Sequence, residues 1–209
     1  MSTIKNIVFD LGGVILDLDH SRAVRRFEEI GVENAAELLD PYEQKGIFLE
    51  LETGKIDFPT FCHVLSRYAG KKLDEEAVKY AWMGFIVDVP ADYKLAYIQE
   101  LRKNYKVYLL SNTNPVILGW ARSSDFTPEG RPITDYFDKI YASYEIGITK
   151  PDKRIFNYMI ADNQLLPSET LFVDDGEKNI TIGRLMGMLT YQPKNKEDWR
   201  DEVAKLLTN

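Results

Sequence analysis

The chain has 209 residues, 44% of them hydrophobic and 28% charged, enough to bury about 70% of its unfolded surface in one large domain or in a core with a small accessory domain. Its 26 basic and 33 acidic side chains leave a formal charge of −7, which excludes a nucleic-acid binder advertised by net charge. The single cysteine, Cys62, rules out an internal disulfide framework and fits a reducing compartment, and with only His20 and His63 beside it an ordinary structural zinc site cannot be built.

Any metal must therefore be held by oxygen. The first six residues lead directly into an apolar run without a cleavage site, and no stretch reaches the ~18 consecutive apolar residues of a membrane span. The expectation is a soluble, cytoplasmic protein.

In chain order, residues 4–10 read as a buried strand ending at Asp10. From Asp19 to Pro90 the pattern turns helical, with candidate helices at 23–30, 36–39, 58–68 and 75–85. Phe58, Phe61, Leu65 and Tyr68 lie three or four apart, and Asp57-Phe58-Pro59 resembles a helix start with proline in its first turn. Gly54 and Val89-Pro90 are candidate turn and hinge points. A helix over 93–103, with Leu95, Ile98 and Leu101 at threes, precedes a second strand at 107–111. Ser111-Asn112-Thr113-Asn114 then reads as a turn in which Thr113 and Asn114 are loop formers.

A third strand follows at 139–142, then the loop Gly147-Ile148-Thr149-Lys150-Pro151, and a helix carrying Ile155, Phe156, Met159 and Ile160 with Asp152 as its N-terminal anion. Residues 171–174 form the fourth strand, a helix through Ile180 ends near Gly187, and 188–191 is a candidate fifth strand. The charged tail 194–202 reads as a solvated helix face. Strands alternating with helices of this length predict an α/β fold, a doubly wound parallel sheet with a small all-helical insertion after the first strand.

In such a sheet, ligands gather beyond the carboxyl ends of the strands. The residues there are Asp10, Ser111 with Asn112, Lys150 and the pair Asp174-Asp175. Carboxylates can hold a hard dication such as Mg²⁺, while lysine, hydroxyl and backbone amides bind phosphate oxygens. One carboxylate can then attack phosphorus. Asp174 and Asp175 would repel each other without a cation.

The order and context of these segments resemble the haloacid dehalogenase superfamily of phosphatases and related hydrolases over nearly the whole chain. Its four motifs are matched by Phe9-Asp10-Leu11-Gly12-Gly13-Val14, Leu110-Ser111-Asn112, Lys150-Pro151 and Phe172-Val173-Asp174-Asp175. The resemblance implies a Rossmann-like core formed by residues 1–18 and 90–209 and a helical cap at 19–89. The roughly 38 residues between Ser111 and Lys150 leave no room for the larger cap that some members insert there.

It further implies that Asp10 is the nucleophile and a metal ligand, that Ser111, the Asn112 amide and Lys150 bind phosphate, and that Lys150 balances the surrounding charge. Asp175 and the Gly12 carbonyl would be metal ligands, with Mg²⁺ the cofactor. Asp174 would orient a metal-bound water or the lysine, and Asn179 would reach the same waters. The implied partner is a small phosphorylated metabolite, with neither nucleic acid nor membrane; the oligomeric state is left open.

One position departs from the family pattern. Phosphatases of this family usually carry a second aspartate two residues after the nucleophile as general acid and base, and here that residue is Gly12. A leaving group that departs easily, as in a sugar 1-phosphate or an acyl phosphate, fits its loss, since general acid–base help of typically 10²–10⁴-fold matters least there. The opening from Phe9 to Asp19 also resembles a subgroup with glycine at this position, which includes sugar 1-phosphate phosphatases and is related to the N-terminal phosphatase domain of soluble epoxide hydrolases. A displaced base could come from Asp17, Asp19, His20 or Glu52. Cys62 and His63 read as core or rim of a helix, and Trp82, Trp120, Tyr42 and Phe48 as packing. The competing functions are a metal-independent 2-haloacid dehalogenase and a non-catalytic, regulatory relative phosphorylated on aspartate.

Overall fold

The computed structural model describes residues 4–39 and 45–208. Five parallel strands among them, β1 (Asn6–Phe9), β2 (Lys106–Ser111), β3 (Lys139–Ala142), β4 (Thr170–Val173) and β5 (Leu189–Tyr191), form one sheet in the order β3-β2-β1-β4-β5. All four strands marked most clearly by their apolar runs are present, and so is the fifth.

Because β1 is central, its register fixes the site. Phe9 pairs with Leu109 on one side and Val173 on the other, so Asp10 emerges beside the ends of both β2 and β4. The alternation of the pleat sends Ile7 and Phe9 into one buried cluster, and Val8 into another with Tyr108, Leu110 and Phe172. Both faces are thus covered, as a doubly wound sheet requires.

Between β1 and β2 the chain forms α1 (His20–Glu29), α2 (Ala35–Leu38), α3 (Gly46–Glu52), α4 (Phe58–Tyr68), α5 (Glu75–Trp82) and α6 (Asp92–Leu101). Asp19, Asp57 and Asp74 cap α1, α4 and α5 by accepting from the amides of Arg22, Thr60 and Ala77. Phe27, Phe48, Phe61 and Trp82 pack ring against ring at centroid distances of 5.1–5.9 Å. Aromatic edges meeting faces in this way add to the area they bury.

The helical block is entered and left side by side. Leu18 and Ile86 form an antiparallel bridge, the Asp19 amide donates to the Phe85 carbonyl, and the Val87 amide to that of Asp17. Beyond β2 come α7 (Pro115–Ala121), α8 (Ser143–Ile146), α9 (Lys153–Asn163), α10 (Glu177–Leu185) and α11 (Arg200–Thr208).

Several elements differ from the sequence reading. Helix α3 is an element that the sequence pattern does not predict, since its N-cap, Lys45, offers no side-chain capping bond. Asn114 is more than a loop former: it caps α7, accepting from the amides of Val116 and Ile117, with Pro115 next in the first turn. The tail 194–202 is not a continuous solvated helix. Helix α11 begins only at Arg200, and Trp199 is wholly buried, 4.9 Å from the Phe9 ring. Tyr42 lies outside the described residues. No described helix is long and apolar enough to cross a membrane.

Candidate active site

At the carboxyl end of the sheet, oxygens of Asp10, Asp174 and Asp175 all lie within 4.8 Å of one another. Lys150 stands among them, fully buried, with Nζ 3.0 Å from Asp10 Oδ1 and 2.5 Å from Asp174 Oδ2. The strand ends supply the aspartates, and the lysine reaches in from the loop after α8. Three carboxylates around one ammonium leave a local excess of negative charge, the donor set that suits a hard dication. The structure thus brings together the Asp10, Lys150, Asp174 and Asp175 that the sequence picks out.

The electrostatics follow from burial. Asp10 is pushed up to about 7 by desolvation, against the pull of Lys150 and with the push of Asp174 and Asp175. Asp175 rises to about 6 through desolvation and the Asp174 charge. Burial works against the Lys150 ammonium, yet the charges of Asp10 and Asp174 hold it above the usual lysine range.

Each group is oriented by a second contact. Asp10 Oδ1 accepts from the Leu11 amide at 2.7 Å as well as from Lys150, which leaves Oδ2 without a protein donor among the described residues. Asp174 Oδ1 accepts from the Gly176 amide at 2.8 Å and from Asn179 Nδ2 at 2.9 Å. Asn112 takes a role that sequence reasoning missed: its side-chain amide donates to the Lys150 carbonyl at 2.9 Å and accepts from the Lys150 amide at 2.7 Å. This paired bond fixes the lysine's backbone. Ser111, buried at the end of β2, donates to the Asn112 carbonyl at 3.3 Å.

The loop after Asp10 is fitted to the cluster by glycine. Gly13 has φ +70°, and a Cβ there would stand 2.1 Å from Asp175 Oδ2, so only glycine allows the approach. A Cβ on Gly12 would meet Leu18 Cδ1 at 2.9 Å. The same loop is pinned from outside by the Val14 carbonyl, which accepts from Lys94 Nζ and from Trp199 Nε1, both at 2.9 Å. Lys94 also reaches Asp17 Oδ1 at 3.1 Å. Its place in the apolar row with Ile98 and Leu101 was a signal that this lysine is buried rather than solvated.

The four suggested substitutes for the missing acid part company here. Asp17 is engaged by Lys94, Asp19 caps α1, and His20 is bonded to the Leu39 carbonyl and packs its ring edge-on to Phe85. Glu52, at the last turn of α3, has no hydrogen-bond or ion-pair partner among the described residues. It is only 8% exposed, and burial together with the Asp10 charge pushes its carboxyl up to about 7. Cys62 is buried and His63 exposed. Trp82 and Phe48 lie in the aromatic interior, and Trp120 packs against Phe126.

Comparison with known proteins agrees with this architecture. Residues 4–187 match the model of a haloacid dehalogenase-like hydrolase. The chain is 51% identical over 206 residues, 99% of its length and all of the relative's, to D-ribitol-5-phosphate phosphatase of Bacteroides thetaiotaomicron. Its fold superimposes with a TM-score of 0.95 on a predicted HAD-like family hydrolase from Porphyromonas gingivalis, at 45% identity with both chains wholly covered. It also superimposes with a TM-score of 0.86 on a HAD family enzyme from Bacteroides thetaiotaomicron in complex with magnesium and inorganic phosphate, at 39% identity over 94% of this chain and 97% of the other. With its strand order, its buried lysine and its carboxylates in the places that the four motifs required, the chain belongs to the haloacid dehalogenase-like hydrolase family.

Proposed function

We propose that the protein is a Mg²⁺-dependent phosphatase of a small phosphorylated polyol or sugar, working through an aspartyl phosphate on Asp10. The observation that carries this reading is the buried meeting of Asp10, Lys150, Asp174 and Asp175 at the end of the central strand. In this reading residues 1–18 and 90–209 form the catalytic core and 19–89 the cap, in a cytoplasmic enzyme.

Asp10, Asp175 and the Gly12 carbonyl would hold Mg²⁺, as the three-carboxylate donor set favours; the ion supplies charge neutralisation for the phosphoryl oxygens. Lys150 has three protons and spends two on Asp10 Oδ1 and Asp174 Oδ2, so the third serves a phosphate oxygen. The Ser111 hydroxyl and the Asn112 amide bind the remaining oxygens. With Oδ1 anchored by Leu11 and Lys150, Asp10 presents Oδ2 to phosphorus. Attack breaks the bond to the leaving oxygen, and water then releases phosphate from the aspartyl ester. Because Asp10, Lys150 and Asp174 are at most 9% exposed, entry of substrate requires the helical block to open at its paired crossing, and closure excludes bulk water.

The reading of a sugar 1-phosphate rests on Gly12 and on the resemblance of the segment from Phe9 to Asp19 to a subgroup that includes sugar 1-phosphate phosphatases. Likeness to a D-ribitol-5-phosphate phosphatase over 99% of the chain favours phosphate on a primary carbon, so polyol and sugar 5-phosphates head the substrate list. Phosphate release is to be measured with Mg²⁺ for D-ribitol 5-phosphate, sugar 1-phosphates, sugar 6-phosphates, acyl phosphates and nucleotides, for the wild type and Asp10→Asn. The expected result is release that is strongest on the polyol phosphate, lost with EDTA and reduced by ~10⁴-fold or more in the variant. Release that persists undiminished in the variant contradicts the reading, and EDTA-insensitive halide release from 2-haloacids replaces it.

A further inference from the structure

We propose that Glu52 is the proton donor to the leaving oxygen, and the base for the second water, supplied from the helical block in place of the aspartate that Gly12 lacks. The proposal rests on the phosphatase reading and adds the group which that reading leaves out.

The need is chemical. A primary alkoxide is a poor leaving group, and general acid catalysis contributes typically 10²–10⁴-fold to its departure. The loop at residue 12 cannot supply the proton: glycine has no side chain, and Leu18 Cδ1 stands 2.9 Å from where one would begin. In-line displacement puts the leaving oxygen on the side of phosphorus away from Asp10. The donor is therefore expected to come from whatever faces Asp10 across the site.

Of the four candidates, Glu52 is the one that the described residues leave unengaged. The turn that follows it is docked on α8: Gly54, at φ +64°, lies so close that a Cβ would stand 2.2 Å from the Tyr144 carbonyl, and the Thr53 carbonyl faces Gly147 at the end of that helix. The last turn of α3 is thus held to the core rather than left at the surface. Glu52 as a residue is only 8% exposed, its carboxyl has no hydrogen-bond or ion-pair partner among the described residues, and it is near enough to Asp10 to feel its charge. A buried carboxyl without a partner costs stability. Such a cost is found where a site requires the group. Held up to about 7, it carries a proton for part of the population at neutral pH, in the range that suits transfer in both directions.

The two steps balance. As Asp10 Oδ2 bonds to phosphorus, the bond from phosphorus to the substrate oxygen breaks, and that oxygen keeps the electron pair and takes the Glu52 proton to leave as the alcohol. The Glu52 carboxylate then takes a proton from water as the water oxygen bonds to phosphorus. The bond from phosphorus to Asp10 breaks with its pair returning to the carboxylate, which leaves inorganic phosphate and a protonated Glu52.

The test separates proton donation from recognition of substrate hydroxyls. Phenyl phosphate and 4-nitrophenyl phosphate have no hydroxyl to recognise and differ in how readily the phenol leaves. In Mg²⁺, Glu52→Gln is expected to lower kcat/KM on phenyl phosphate by ~10²–10³-fold, and on 4-nitrophenyl phosphate by at least about tenfold less, with Glu52→Asp intermediate. Residual turnover of the nitrophenyl ester shows that the variant is folded. Equal losses on the two esters, or no loss on either, overturn the assignment to Glu52. If Asp10→Asn abolishes turnover of both esters, the phosphatase reading stands whichever way Glu52→Gln behaves; if it does not, that reading fails first.

Discussion

In the helical block Phe27, Phe48, Phe61 and Trp82 bury ring against ring, whereas at the carboxyl end of the sheet Asp10, Lys150 and Asp174 bury charge against charge. Both regions are almost wholly removed from water. The first gains from that removal, because apolar area leaves water and the edges of the rings meet their faces. The second loses by it, because desolvation is the largest influence on Asp10, Lys150 and Asp175 alike. A ring cluster of this kind stabilises, while a charge cluster of this kind persists only where its members hold one another and await a ligand. Glu52 sits at the border, on a helix of the first region and within reach of the charge of the second.

The comparison is broken most severely by removing the one cation. Lys150→Met leaves Asp10 and Asp174 without their shared partner, and the expected loss is about 3–5 kcal/mol of stability in EDTA together with ~10²–10³-fold in kcat. Urea unfolding with and without Mg²⁺ checks the first part, with Mg²⁺ restoring some of the stability. A Lys150→Met protein as stable as the wild type in EDTA would show that the ammonium does not hold the carboxylates together.

In the aromatic region, Phe27→Ala opens a cavity beside Phe48 and Trp82, at an expected cost of about 3–5 kcal/mol. Here Mg²⁺ should restore nothing beyond what it adds to the wild type, because no charge has been unpaired. Thermal unfolding of the two variants side by side, each with and without the ion, sharpens the contrast between the regions.

A smaller effect concerns Asp10 and pH. Its carboxyl moves from 3.8 to about 7 on folding, so between those values the folded state binds more protons than the unfolded state. By linkage the contribution of Asp10 to stability therefore falls as pH rises from about 4 to about 7, and is level above that. Without Mg²⁺, Asp10→Asn should gain on the wild type across this window by of the order of 1–3 kcal/mol. Mg²⁺ should cancel the gain. A difference that stays flat with pH would mean that desolvation does not govern Asp10.

The sheet was legible because its strands are buried on both faces: near-continuous apolar runs such as Ile7-Val8-Phe9 and Leu171-Phe172-Val173 end in polar residues, Asp10 and Asp174-Asp175, which form the carboxylate cluster at the end of the sheet. Asp10, Asp174 and Asp175 could be named from that pattern, whereas Lys150 came from the loop that follows the third strand. The helix α3 was not legible, because Lys45 and Gly46 at its start give no capping signal, and its buried Phe48 and Leu51 lie too few turns apart to set a period. The caps of α7 were present in Asn114-Pro115 but were masked by the turn-like Ser111-Asn112 before them. Asn112 as the clamp on Lys150, and Trp199 as a buried donor to Val14, depend on contacts across 38 and 185 residues. No local pattern encodes those partners. Glu52 was one of four possibilities in the sequence; tertiary structure gave Asp17, Asp19 and His20 other partners and left Glu52 without a hydrogen-bond or ion-pair partner among the described residues.

The most direct test of the account is to quench the enzyme in acid during turnover of D-ribitol 5-phosphate with Mg²⁺ and locate the phosphoryl group by peptide mass spectrometry. The account predicts a phosphoryl group on the peptide that contains Asp10, absent from Asp10→Asn; rapid phosphate release with the phosphoryl group on another residue, or from the variant at the wild-type rate, would contradict it.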